Sequence, residues 1–176
     1  GSLAEGEFAA FGEDPNDRVR AAKLDESLEI IAGLWSGDEF SFAGAHFRVD
    51  PVRFRPVPVQ RPRPPLWIAG SWPNRRPLER AARWDGLFAT HRDVGHDETM
   101  SPQDLERIVR HTNAHREGDD PFDIVIEGLT ADASRAARLQ PYADVGLTWW
   151  IEKLGWFRGT VREMRERIHR GPPLSD

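Results

Sequence analysis

Short apolar runs that alternate with helical segments predict an α/β fold built on a parallel sheet. Three observations carry this expectation. Four runs, Leu66–Gly70, Gly86–Ala89, Phe122–Ile126 and Thr148–Ile151, stand in series after Pro65. Each is followed by a segment with helix-start signals. The runs are nearly all apolar, as strands are when both faces of a sheet are covered. Strict β-then-α alternation implies parallel strands with right-handed crossovers. Two architectures fit: an open four-stranded sheet, or half of an eight-stranded (β/α) barrel. A complete barrel needs about 200 residues or more, and this chain has 176.

The first 37 residues predict a loop and a long helix. Asp14-Pro15-Asn16-Asp17 offers a cap, an N1 proline and an acid at the positive end of the helix dipole. Leu24, Leu28, Ile31 and Trp35 then recur on one helical face, and Gly33 and Gly37 mark the end. Phe40–Phe42 and His46–Val49 flank Gly44 and read as a hairpin. Residues 51–65 hold six Pro and four Arg. That density forbids a helix or a central strand and predicts an extended connection, with a polyproline ligand as the rival reading.

Helices are expected from about Asn74 to Trp84, with Leu78, Ala81 and Ala82 inward, and from Ser101 to near Gly118. The second has a cap, an N1 proline and an acid at Asp104. A third is expected to open at Asp132 or Ser134, bury Ala136, Ala137 and Leu139, and end at Gly146, with Pro141 kinking or shortening it. Thr160-Val161-Arg162-Glu163 is a capping box for a last helix that stops at Gly171-Pro172-Pro173.

Composition narrows the function classes. There are seven Trp and nine Phe, so the chain is no disordered tail. It carries 24 Lys plus Arg against 29 Asp plus Glu, a net charge of −5, which offers no general attraction to nucleic acid or an anionic membrane. It has no Cys, which removes disulfides, thiolate metal sites and Cys nucleophiles. No apolar run approaches the roughly 20 residues of a membrane span. The first residues, Gly1–Glu7, lack the pattern of a signal peptide, so a cytoplasmic location is expected. The chain does not start with Met and reads as processed, tagged or a fragment.

In parallel α/β folds, ligands meet the carboxyl ends of the strands. That rule selects Gly70–Arg76, Thr90-His91-Arg92, Glu127-Gly128 and Glu152-Lys153. At the first, Gly70 would let backbone approach a ligand, and Ser71 or Asn74 would cap the helix. First-turn N–H groups beside Arg75 and Arg76 would form an anion pocket suited to phosphate. The segment is not a P-loop or G-x-G-x-x-G, and Ala69 and Pro73 stand where a G-x-S-x-G elbow around Ser71 needs glycines. A hydrolase reading loses its nucleophile, and no catalytic residue is assigned.

His91 is a candidate ligand contact at a strand end. Glu127 and Glu152 are either acid–base groups or partners for nearby arginines. His111 and His115 have metal-pair spacing, but the sequence places no third ligand, so a solvated helix face is expected and no metal site is assigned. Trp149 and Trp150 read as packing rather than a flavin-stacking surface.

Several motifs in order resemble the bacterial luciferase-like family of flavin- or deazaflavin-dependent monooxygenases and oxidoreductases. They are Glu7–Glu13, Leu24–Glu29, Gly33–Gly37, the hairpin Phe40–Val49, and Pro56, Val59, Gln60, Arg61 and Pro62. The most specific are Pro65–Ser71 and Arg80–Gly86. The resemblance spans essentially the whole chain, more loosely after about residue 90.

The resemblance implies a (β/α)8 barrel of which this chain supplies the C-terminal half. The expectation is one partial-barrel domain, 1–176. It comprises loop and helix (1–37), hairpin and Pro/Arg-rich connection (38–64), and four βα units (65–176). The first half, with part of the flavin ring pocket, is absent. The resemblance further implies that the turn after the first run binds cofactor phosphate through Gly70, Ser71 and Asn74, with Arg75 a neighbour. The implied cofactor is FMN or the deazaflavin coenzyme, acting on a small-molecule substrate. Open sheet edges imply pairing with a second copy or with a separate first half, or else an inactive half-barrel that self-associates.

Overall fold

The structure is a computed structural model that describes residues 5–130 and 136–172. The chain divides into two compact units, Gly1–Pro64 and Pro65–Asp176.

In the first unit, α1 (Glu5–Ala10) precedes α2 (Asp17–Ser36). The α2 cap is Asn16, two residues past the expected Asp14, and its side chain accepts from the N–H groups of Arg18 and Val19. Asp14 instead accepts from the Asn16 N–H at 2.8 Å, one step further back. Gly37 ends α2 in the left-handed conformation at φ 78°, which glycine adopts without strain. Gly33 is no terminator. It lies within α2, where a Cβ would sit 2.0 Å from the Phe40 ring, so glycine here makes room for the hairpin.

That hairpin pairs β1 (Glu39–Ala43) with β2 (Arg48–Arg53) in antiparallel register, with an irregularity between Phe40 and Phe42. Strand β2 runs through Pro51, further than expected. Among the described residues the sheet has two strands, so each is an edge and proline can be accommodated. Glu26 of α2 fastens the hairpin turn by accepting from the N–H groups of Ala45, His46 and Phe47 at 2.7, 3.0 and 2.8 Å. Desolvation pushes the Glu26 pKa up. The bonds from Phe47, His46 and Ala45, with the charge of His46, outweigh it and leave the carboxyl below its ordinary range.

The second unit is a parallel sheet in the order β3-β4-β5-β6. Strand β3 (Trp67–Trp72) leads to α3 (Arg75–Ala81), and β4 (Gly86–His91) leads to α4 (Pro102–Asn113). Strand β5 (Asp123–Gly128) leads through a 3-10 turn (Ala136–Arg138) to α5 (Gln140–Asp144), and β6 (Trp149–Glu152) leads through another (Trp156–Arg158) to α6 (Val161–His169). All four runs are therefore strands, and the mixed α/β fold with a parallel sheet is as expected.

Several helix limits differ. Helix α3 is seven residues long and stops before Trp84. Helix α4 ends at Asn113 rather than near Gly118, because Asn113–Gly118 carries no apolar face to hold a further turn. The Ser101 cap is present, accepting from the Asp104 N–H at 3.1 Å. The Asp132 or Ser134 start lies outside the described residues. After it, Pro141 stands in the first turn of the five-residue α5, where a missing N–H costs nothing, and Ala137 is exposed. Thr160 and Glu163 form the expected capping box of α6.

One face of the sheet packs on helices. Ile68, Leu87, Ala89, Ile124 and Ile126 meet a layer that includes Leu78, Leu105 and Ile108, all at 6% exposure or less. Gly70 faces this layer too: a Cβ there would lie 2.8 Å from Leu78 Cδ1 and 3.0 Å from Leu87 Cδ1. Gly86 is equally constrained, because a Cβ would meet Trp67 Cδ1 at 2.6 Å and the Asp123 carbonyl at 2.8 Å. Asp85 beside it accepts from the Leu66 N–H at 2.6 Å. The Trp84-Asp85-Gly86 motif thus docks the base of β3 to that of β4. Among the described residues, no helix is long and apolar enough to cross a membrane.

Candidate functional site

Registers across the sheet place alternate residues in rows on its other face. Trp67, Gly86 and Asp123 form the first row; Ala69, Phe88, Val125 and Trp149 form the second. Ser71 and Thr90 are partners in the third. One step beyond the paired Ala89 and Ile126 lies Glu127, which pairs in turn with Ile151. On this face, opposite the helix layer, Val125 is buried in the middle of the second row, while Trp149 is 51% and Ile151 37% exposed. Asp123 braces the first two rows, its two oxygens each accepting an indole N–H at 3.0 Å, from Trp67 and Trp149. Those rings lie 5.4 Å apart. Trp149 is therefore an exposed, oriented ring rather than core packing. Trp150 points the other way, under Gly128 and against Tyr142.

The third row stands at the carboxyl ends of the strands, where ligands meet parallel sheets. Ser71 ends β3 on this face, and the chain turns through Pro73, with the Asn74 N–H donating to the Ser71 carbonyl at 2.9 Å. Asn74 occupies the cap of α3, but its side chain makes no capping bond. Asn74, Arg75 and Arg76 are exposed. Gly70 stands with the helix layer, so its lack of a side chain serves packing.

Beside this turn, a cavity of about 180 Å³ is lined by Thr90, His91, Met100, Glu127 and Lys153, among others. Residues from three of the four selected strand ends thus share one space. His91 Nδ1 accepts from the Asp93 N–H at 3.2 Å, which leaves Nε2 as the ring's donor when neutral. Lys153 donates to the carbonyls of Gly95 and Glu98 at 3.3 and 2.9 Å and so holds the loop after β4. Glu127 is exposed beside it.

Glu152 follows the second of its two expected readings and pairs with arginine. Its oxygens accept from the Thr130 N–H and hydroxyl, the Trp150 indole and Arg158, at 2.9 to 3.1 Å. Arg167 Nε lies 3.7 Å away. With those bonds made, this carboxylate joins the end of β6 to Thr130 and α6.

His111 and His115 do not lie on a purely solvated face. Helix α3 supplies a third group, Glu79, whose Oε1 is 3.3 Å from His111 Nε2 and 3.9 Å from His115 Nε2. No local sequence signal announces this, since the partner comes from another helix. The same holds for Asp123 between its two tryptophans.

The sequence profile of the luciferase-like monooxygenases matches residues 2–174. The chain is 33% identical over 90 residues to an FMNH2-dependent dimethylsulfone monooxygenase of Pseudomonas putida, covering 49% of this chain and 24% of that protein. It is 37% identical over 89 residues to an F420-dependent hydroxymycolic acid dehydrogenase of Mycobacterium tuberculosis, covering 50% and 24%. The crystal structure of a monooxygenase, RslO1 from Streptomyces bottropensis, superimposes with a TM-score of 0.55 at 19% identity, over 96% of this chain and 46% of that one. The chain thus matches under half the length of each.

Proposed function

Because the chain belongs to the luciferase-like monooxygenase family, we propose that it forms the C-terminal half of a (β/α)8 barrel in a flavin- or deazaflavin-dependent oxidoreductase. One observation carries the reading. The face of the sheet opposite Leu78, Leu105 and Ile108 presents stacked rows of side chains and ends in Ser71, Thr90 and Glu127 at the carboxyl ends of the strands. A barrel interior is filled by such layers and carries its chemistry at that end.

The turn after β3 fits the phosphate of FMN or of the deazaflavin coenzyme. Its Asn74 side chain makes no capping bond, and Ser71, Arg75 and Arg76 offer a hydroxyl and two cations beside it. Gly70 acts from behind, letting Leu78 press α3 against the strand. The bound cofactor supplies the electrons for oxygen insertion or hydride transfer. The protein's part is to hold it and to shape the space beside His91 and Glu127 for a small-molecule substrate.

Among the described residues, β3 and β6 are the edge strands of the sheet, and an edge presents backbone groups open to pairing. They favour assembly with the other half of a barrel or, as a second reading, with a second copy in a catalytically inactive pair. Native mass spectrometry with and without FMN separates these: flavin retained in an assembly supports the enzyme, and a flavin-free dimer supports the second reading. In a flavin-binding assembly, Ser71→Ala removes one bond to a charged group, about 1.5–3 kcal/mol. That weakens affinity roughly ten- to a hundredfold with little change in turnover at saturation. Unchanged affinity overturns the phosphate assignment.

A further inference from the structure

We propose that Glu79, His111 and His115 bind one divalent transition-metal ion, zinc being the best match, and so clamp α3 to α4. The ligand atoms of the three residues all lie within 4.8 Å of one another. His111 and His115 are one turn apart on α4 with ring centroids 4.5 Å apart, the i, i+4 arrangement by which a helix offers two imidazoles to one ion. Glu79 reaches in from the neighbouring helix.

Three details favour an ion over a plain ion pair. His115 Nδ1 lies 2.8 Å from the His111 carbonyl oxygen. Donation of an Nδ1–H there leaves the Nε2 lone pair free, the outer-shell bond that orients metal-binding histidines. His111 Nε2 is buried and makes no well-aligned hydrogen bond; the acceptor beside it is Glu79 Oε1, so its lone pair or proton is not otherwise engaged. Its separation from Glu79 Oε1, 3.3 Å, matches the spacing of two ligands on a tetrahedral ion with bonds of about 2.0–2.1 Å. His115 Nε2 lies 3.9 Å from the same Glu79 oxygen, so a small shift that keeps its Nδ1 bond completes the set.

Two imidazoles and a carboxylate suit zinc better than magnesium or calcium, which prefer all-oxygen shells. Three protein ligands leave a fourth position for solvent. The cluster lies with the helices, away from the row ending in Ser71 and Glu127. His111 also meets the Trp72 ring edge-on at 6.1 Å, so a filled site would stiffen the far side of the turn after β3.

The test uses the tag-free chain after removal of metal with a chelator. Added Zn²⁺ should bind at one equivalent and raise the melting temperature, and Co²⁺ should give the visible d–d bands of a tetrahedral site. His115→Ala and Glu79→Gln alter partly exposed side chains and leave the fold intact. Each should weaken Co²⁺ binding at least about tenfold, the lower bound for losing even an outer-shell partner. Absence of bands and of a thermal shift in the unaltered chain overturns the site. So does Co²⁺ affinity in both variants equal to that of the unaltered chain, which would put the ion elsewhere.

Discussion

The two compact units hold their shapes by different means. In residues 65–172, Ile68, Leu78, Leu87, Leu105, Ile108, Ile124, Val125 and Ile126 are buried at 6% exposure or less, and they come from strands and helices far apart in sequence. In the first unit Leu28 is the buried apolar side chain among the described residues, while Leu24 and Ile31 of the same helix face are 39% and 36% exposed. What stands out in that unit instead is backbone capping and one polar latch: Asn16 at one end of α2, Gly37 at the other, and Glu26 gripping the hairpin turn. Helical periodicity therefore establishes that a helix forms without establishing that its apolar face is covered.

The sharpest way to break this contrast is truncation of equivalent leucines. Leu78→Ala empties a site at 0% exposure and should cost about 2–5 kcal/mol in urea unfolding. Leu24→Ala should stay within about 0.5 kcal/mol. Equal costs would erase the distinction. A smaller effect is expected from Gly86→Ala, whose Cβ would strike Trp67 and the Asp123 carbonyl. Overpacking of this kind costs about 1–3 kcal/mol, and near-ultraviolet circular dichroism should change as the Trp67–Trp149 pair is displaced.

The smallest effect is confined to the first unit and depends on pH. The Glu26 carboxyl is lowered in the fold from its ordinary 4.5. Its contribution is therefore complete above that value and fades as pH falls through the lowered one. Relative to the intrinsic exchange rate at each pH, protection of the amides of Ala45, His46 and Phe47 should fall in acid, while the amides of β4 and β5 stay protected. Glu26→Gln should remove the acid dependence. Protection lost equally in both units would show that the latch is not local.

What was legible in the sequence follows from the range of each interaction. The caps at Ser101 and Thr160, the glycine stop at Gly37 and the four strands are written within a few residues, and each stands where its local pattern puts it. The shift from Asp14 to Asn16 is a choice between two adjacent capping side chains, which only the backbone path decides. Pro51 fits β2 because that strand has a free edge, a property of the sheet and not of the segment. Glu79 beside His111, and Asp123 between Trp67 and Trp149, join residues 32 and 56 or 26 positions apart, and no local pattern reports them. At the turn after β3 the sequence shows the end of a strand, while the side toward which Gly70 faces needs the register.

The order of the strands in space, β3-β4-β5-β6, is also their order along the chain. Each strand therefore lies against the one synthesised just before it, and no strand must wait for a distant segment in order to pair. Contacts between neighbouring units keep sequence separation low for a parallel sheet, which favours fast formation. As the ribosome releases this unit from its N-terminal side, the layer of Leu78 and Leu87 can close before β5 and β6 exist. Growth then proceeds by addition at one moving edge, and a pause in translation after β4 would leave a smaller version of the same arrangement.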